Sequence, residues 1–380
     1  MTSTVSPRPS KSSRSTSPTS QSRANEINAT DNPNRDSTSS SQFHHRQPNH
    51  RLAAVLVAIV AVAAIAWIAA RMGAGPGADS VRNQSPTSNP IPATYDADRA
   101  MNYLERLCQF GPRPSGSDAM KRQQDFLQDF FEKRGAQVGF QSFEIRHPEN
   151  GSAVPISNLI ASWGPDRPKR ALLCAHYDTR PYPDRDRKNP RGVFVGANDG
   201  ASGTAALMEI SHQFDALPPQ IGVDIVLFDG EEFVLKQGRD DYFLGSSFYA
   251  EQYKANPPQS RFTSGVLLDM IGDRELKIYF EQNSMKYARP LAKDIWRVAD
   301  RLGVDAFVPR IRHEIQDDHL PLNRIARIPT VDLIDFDYPR PGIGQPSYWH
   351  TEQDIPANCS GESLAAVVWV VHQWMLTLAN

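Results

Sequence analysis

The chain has 380 residues and a formal net charge of −2 at pH 7, so no global field selects nucleic acid or an acidic partner. Its three cysteines, Cys108, Cys174 and Cys359, show no C-x-x-C and no framework spacing. That weighs against a disulfide scaffold and leaves structural thiols or at most one disulfide.

Residues 1–50 are rich in Ser, Thr, Pro, Asn and Gln and nearly lack aliphatic side chains. Such a segment buries too little apolar surface to offset chain entropy, and a disordered polar arm is expected. Between Arg51 and Arg71 lies "LAAVLVAIVAVAAIAWIAA", uncharged throughout. At about 1.5 Å per residue this run approaches the ~30 Å hydrocarbon core of a bilayer. A cleaved signal peptide is the alternative, opposed by the long polar arm before it and by an apolar run longer than the usual h-region of ~7–15 residues. A transmembrane signal anchor over 51–71 is therefore expected. More Lys and Arg precede the span than follow it closely, which keeps the amino end cytoplasmic and the rest of the chain on the periplasmic or extracytoplasmic side. Residues 72–94 read as a Gly/Pro/Ser linker, and 95–380 as one catalytic domain.

Within that domain the stretch 117–135 carries Met120, Phe126, Leu127, Phe130 and Phe131 at helical spacing before Gly135, the pattern of an amphipathic helix. Short apolar runs at 170–175, 223–228, 264–270, 276–280 and 328–334 read as buried strands. Helical patterns at about 203–215, 244–254, 286–302 and 362–378 alternate with them. The alternation predicts an α/β three-layer sandwich, with a mixed, mostly parallel central sheet flanked by helices.

In such sheets ligands gather beyond the carboxyl ends of the strands, and the polar residues follow the runs there. His176-Tyr177-Asp178 follows the first, Asp199 opens "GANDGASG", Glu231 and Glu232 follow "VLFDG", Asp269 ends the next run, and His350 lies in "SYWHTEQD". Each alone has an ordinary explanation: a helix N-cap for Asp199, a solvated face for the glutamate pair, a surface histidine for His350. Together, two imidazoles and several carboxylates on one sheet edge would be costly unless paired. A divalent metal removes that cost, and a His, Asp and Glu donor set suits zinc with an open position. One adjacent glutamate can ligate while its neighbour moves protons.

These residues carry a resemblance. "GPRPSGS" (111–117), "HYDT" (176–179), "GANDGASGTAALME", "LFDGEE", "LGSSFYAE", "LLDMIGD" and "YWHT-x-QD" stand in order, as in a superfamily joining zinc-dependent aminopeptidases of the bacterial leucyl aminopeptidase type with animal glutaminyl-peptide cyclotransferases (glutaminyl cyclases). The resemblance implies a zinc ion on Asp199, Glu232 and His350, with Glu231 as the proton-transferring base. Two zinc ions would recruit His176 and Asp269 as well, and this is the aminopeptidase arrangement. "IQDDHLPLNR" (315–324) and Trp349 beside the zinc histidine are similar to the cyclases. They favour conversion of N-terminal glutamine to pyroglutamate, with hydrolysis of the first peptide bond as the alternative. On that reading Asp269 and Asp317 steer Glu231 and the departing ammonia, and Trp349, Gln316 and Asp317 contact the substrate, a peptide or protein N-terminus. The chain departs from the cyclases at Gln237, where they have an aromatic residue, at Asp332, where they have histidine, and in the loop before His350, where Tyr338 or Tyr348 could replace a wall aromatic. A binding protein with a dead site is a third reading, weakened because every ligand and the base are present.

Overall fold

The computed structural model describes residues 85–339 and 347–379. The expected polar arm and the candidate membrane span lie outside the described residues. Among these no helix is long and apolar enough to cross a membrane. The last part of the expected linker, 85–94, is bonded to the body of the domain: Ser88 N donates to Gly303 O at 2.8 Å and Ala306 N to Pro86 O at 3.0 Å.

Six strands form the central sheet in the order β1–β2–β4–β3–β5–β8. β3 (Lys169–His176), β4 (Ile221–Phe228), β5 (Phe262–Asp269) and β8 (Thr330–Ile334) are parallel neighbours. β4 is buried along its whole length, as expected of a strand covered on both faces. β1 (Gln137–Arg146) and β2 (Ala153–Trp163) form an antiparallel pair whose second strand runs against β4. The expectation of a mixed, mostly parallel sheet is met. The antiparallel pair was not foreseen; β1 is half exposed, so its signal is a period of two rather than an apolar run.

One face of the sheet carries the larger core, where α1 (Ala97–Cys108), α2 (Asp118–Lys133), α3 (Ala201–Ile210), α6 (Arg289–Leu302) and α7 (Gly361–Thr377) contribute Leu104, Leu127, Leu207, Ile295 and Val368. The other face is covered by α4 (Leu244–Ala255) and a turn over 322–326, around Tyr249, Leu322 and Ile328. Complete burial of such aliphatic side chains contributes about 1.5–3 kcal/mol each, so helices on both faces hold the strand ends in place. α2 starts where the sequence places it: the Ser117 hydroxyl accepts from Met120 N at 3.1 Å.

Two expected elements differ. The helix anticipated over 286–302 is two, α5 (Gln282–Tyr287) and α6, because Pro290 in the first turn of α6 has no N–H to continue a preceding helix. The strand anticipated over 276–280 is shortened to β6 (Ile278–Phe280). It leaves the main sheet to pair in parallel with β7 (Phe307–Ile311).

Candidate active site

The parallel strands all end at one edge, and their last residues or following loops carry the predicted polar groups. β3 ends in His176 and β5 in Asp269. After β4 the chain turns at Gly230, with φ of 74°, and presents Glu231 and Glu232. Asp178, two residues past β3, fastens that turn: its carboxylate accepts from Glu231 N at 3.3 Å and from Glu232 N at 3.0 Å. The two glutamates thus leave a clamped backbone in different directions.

Asp199 is held from behind. Asp354 accepts from Asn198 N at 2.7 Å and Asp199 N at 3.1 Å. The helix cap itself is Gly200, with φ of 101° and no side-chain cap bond, so the N-cap explanation for Asp199 does not apply. A Cβ on Gly200 would stand 2.5 Å from Asp178 O, and glycine alone tolerates both this approach and this φ. Gly203 is close-packed too, since a Cβ there would meet Leu268 O at 2.1 Å. "GASG" is therefore the sequence form of a helix pressed against β5.

His350 Nε2 lies 3.2 Å from Glu232 Oε1 and 3.5 Å from Asp199 Oδ2. On the far side of the ring, Asp184 Oδ1 lies 3.2 Å from Nδ1. A proton on Nδ1 leaves Nε2 available as a ligand. Asp199, Glu232 and His350 each offer one donor atom, all within 4.8 Å of one another, and all three residues are buried. Asp199 Oδ2, Glu232 Oε2 and His350 Nε2 have no hydrogen-bond partner. Buried oxygens and nitrogens of this kind are ordinarily satisfied, and a cation among them would satisfy all three. The residues fit a zinc ion on chemistry and placement.

His176 joins a second group. Its Nε2 is 3.2 Å from Asp199 Oδ1 and 3.2 Å from Asp269 Oδ1, and the three residues again form a possible ligand set. A third set, Asp317, His319 and Asp332, lies on the segment before and within β8, and the sequence reading did not identify it as one.

Electrostatics separate the adjacent glutamates. Burial, reinforced by the charge of Glu232, pushes the Glu231 carboxyl well above the usual carboxylate range. Burial acts the same way on Glu232, but the charges of His350 and Arg180 outweigh it and hold that carboxyl well below the usual range. Arg180 is itself buried and donates to Glu232 Oε1 at 3.0 Å. His350 is pushed up to about 9: burial opposes its charge, and Glu232, Asp184 and Asp199 prevail. Burial also raises Asp317, helped by Asp269. A carboxyl kept ready to hold a proton beside one kept ionised is the arrangement of an acid–base group next to a ligand.

Both glutamates open on a cavity of about 430 Å³ that is also lined by Asp199, Asp269, Gln316, Asp317, Trp349 and His350. Every predicted site residue except His176 lines it; His176 sits behind Asp199 and Asp269. The wall differs from expectation. Phe336 meets Trp349 at 4.9 Å between ring centroids and faces the cavity beside Ile315 and Ile334. Tyr338 is instead buried, with its hydroxyl donating to Asp354 at 3.1 Å, and Tyr348 packs on it. Gln237 lines the cavity where an aromatic was missing, with Tyr242 and Phe243 close by. Sequence reading also missed Arg180 and Asp184, and it gave no role to Asp354, although that residue closes the motif "YWHT-x-QD". For Arg180 and Asp184 a signal existed, because they stand one and five residues after the "HYDT" motif, in the loop that leaves the end of β3.

Buried His, Asp and Glu at the carboxyl edge of a parallel sheet, with the first three fitted to a cation, define the class of metal-dependent enzymes built on a zinc-exopeptidase fold. The chain belongs to peptidase family M28, whose model matches residues 158–375. Solved structures are similar, two of them as follows. Fimbriiglobus ruber glutaminyl cyclase superposes with a TM-score of 0.70 and 39% identity, over 76% of this chain and 97% of that one. A Zn-dependent exopeptidase from Parabacteroides distasonis gives 0.68 and 34%, over 76% and 99%. The glutaminyl-peptide cyclotransferase of Bothrops jararaca is 28% identical over 256 residues, covering 59% of this chain and 66% of that protein's length.

Proposed function

We propose that the protein is a zinc-dependent glutaminyl-peptide cyclotransferase, which converts the N-terminal glutamine of a peptide or protein to pyroglutamate with release of ammonia. The observation that carries the reading is one cavity in which Glu231, Asp269 and Asp317 converge beside the ligand trio, under an apolar wall of Trp349, Phe336 and Ile315. Similarity to solved and curated glutaminyl cyclases supports it.

Asp199, Glu232 and His350 would hold one zinc ion, and when bound it supplies a Lewis acid that polarises the side-chain carbonyl of the substrate glutamine. Glu231 accepts a proton from the substrate α-amine as that nitrogen bonds to the γ-carboxamide carbon. It then gives the proton to the departing nitrogen, which leaves as ammonia. Nucleophile and electrophile belong to one residue, so the chain's task is to hold the side chain folded back on the amine. Trp349, Phe336 and Ile315 enclose the methylenes, while Gln316, Asp317 and Asp269 orient the polar ends. The up-shifted Glu231 suits a group that must both take and return a proton near neutral pH.

Hydrolysis of a peptide's N-terminal bond is the second reading, favoured by the His176–Asp199–Asp269 group, which would complete a two-zinc site, and by likeness to an exopeptidase. The test is to assay the full-length protein with a glutaminyl peptide and a leucyl peptide, with and without chelator, and to measure zinc per chain. Ammonia release from the first alone, with about one zinc, is expected. Leucyl cleavage with about two zinc ions would replace the cyclase by the peptidase.

The anchoring reading is part of the proposal: residues 51–71 hold the chain in a membrane by one span, with a cytoplasmic amino end and the catalytic domain on the periplasmic or extracytoplasmic side. Its support is the uncharged apolar run and the excess of Lys and Arg before it.

A further inference from the structure

Away from the active site, α6 has an outer face of unusual regularity. Its apolar residues Leu291, Ile295, Trp296 and Val298 are buried in the larger core, while Arg289, Lys293, Arg297 and Arg301 recur at every fourth position and are all exposed. That spacing places them on one side of the helix. Arg297 pairs with Asp294; among the described residues Arg289, Lys293 and Arg301 form no salt bridge. Asp300 shares the helix, yet residues 286–312 as a whole carry seven Lys and Arg against three Asp, in a chain whose net charge is −2.

Two neighbouring features bear on what such a face would meet. Ile311 is 51% exposed and is one of three large exposed hydrophobics among the described residues; it lines a groove with Lys286 and Arg289. An aliphatic side chain standing among cations matches a headgroup region with acyl chains beneath it better than it matches a polyanion alone. The second feature is where the amino-terminal chain arrives. Ser88 and Asn89 bond to Gly303 O and Leu302 O at the carboxyl end of this same helix. Only thirteen residues, 72–84, separate the candidate span from the described chain, and thirteen residues reach at most about 45 Å.

We propose that the basic outer face of α6, with Ile311 beside it, docks on anionic phospholipid at the surface of the membrane that anchors the chain. The proposal rests on the anchor reading above. Tethering brings the face to the bilayer without a diffusional search, so modest attraction per basic residue suffices to orient the domain. Screening limits that attraction to about 10 Å at 0.1 M salt, so the contact is made by the face itself and not by the domain's net charge.

The experiment uses the full chain in nanodiscs of phosphatidylcholine alone or with about a third phosphatidylglycerol. A water-soluble acetylating reagent is applied, and modification of Lys286 and Lys293 is compared with that of Lys254 on α4, across the sheet. Labelling of the first two should slow about fivefold in the anionic discs and recover in high salt, while Lys254 is unchanged. The double variant Arg297→Glu/Arg301→Glu should lose the protection yet turn over a soluble glutaminyl peptide at the wild-type rate. Equal labelling in both compositions overturns the docking. Protection seen only on adding a soluble polyanion also overturns it, in favour of another acidic partner. A chain that fails to co-elute with discs overturns the anchor reading instead; flotation with phosphatidylglycerol vesicles then tests the α6 face by itself, and no flotation sinks it.

Discussion

Two clusters of similar composition, one at the carboxyl edge of the sheet and one reaching into β8, differ in their electrostatics. Asp199, Glu232 and His350 are one imidazole with two carboxylates, and so are Asp317, His319 and Asp332. In the first, buried Arg180 and the Asp184-backed imidazole keep Glu232 ionised. In the second, burial pushes Asp317 and Asp332 far up, and each also raises the other or is raised by further acids around it. Neighbouring Asp318 is pushed up to about 7, again chiefly by burial. The first cluster thus keeps one carboxylate, Glu232, well below the usual range although burial and Glu232 raise its other, Asp199, while both carboxyls of the second are raised. A count of metal-binding residue types does not separate them; the presence of a buried arginine does.

The largest test of that contrast is at the glutamate pair. Glu231→Gln should lower turnover of a glutaminyl peptide by about 10²–10⁴-fold, the usual worth of a positioned acid–base group, with zinc content unchanged. Glu232→Gln should lose both turnover and zinc, so that metal analysis and not the rate distinguishes the two. Equal zinc content in the two variants would break the assignment of base and ligand.

Next in size is the pocket wall. Phe336→Ala removes the ring that meets Trp349, and KM for a glutaminyl peptide should rise about tenfold with kcat nearly kept, because the contact holds ground state and transition state alike. A fall in kcat with unchanged KM would place Phe336 in the chemistry instead.

The second cluster and its neighbour Asp318 predict an unusual pH dependence. Asp318 has a folded pKa near 7 against an ordinary 3.8. A raised carboxyl stabilises the fold fully below its unfolded pKa, and the contribution is lost as pH rises through the folded one. Thermal stability should therefore decline from about pH 4 to about pH 7, and Asp318→Asn should flatten the decline. A profile as steep as the wild type's would remove Asp318 from the explanation.

The smallest effect is expected at Asp332→Asn. An amide there replaces a carboxyl that burial and the acids around it push toward the neutral form, so zinc content should be unchanged and the melting temperature should move by only a few degrees. Loss of zinc from this variant would erase the distinction between the clusters.

Sequence periodicity located the four parallel strands, because buried strands are continuous apolar runs, and it located α2, α4 and α7. It missed β1, whose half-exposed alternation resembles ordinary surface, and β2, whose buried residues alternate with polar or partly exposed ones instead of forming a continuous apolar run. It joined α5 to α6 across Ala288 and Pro290, and it extended β6 too far. The site was more legible than the fold, since Glu231, Glu232, Asp199, His350 and Asp269 follow strands whose common end is set by the parallel topology.

By itself, then, the sequence determined which groups reach the reactive edge, because chain order along a parallel sheet leaves each strand's end on the same side. Tertiary structure decided the electrostatic surroundings of those groups. Whether a carboxyl is ligand, base or proton store depends on the burial around it and on charges brought from distant positions, as Arg180 is brought to Glu232. The wall was decided the same way: Phe336 faces the cavity and Tyr338 turns to Asp354, and no local pattern distinguishes two aromatics two residues apart in an irregular loop.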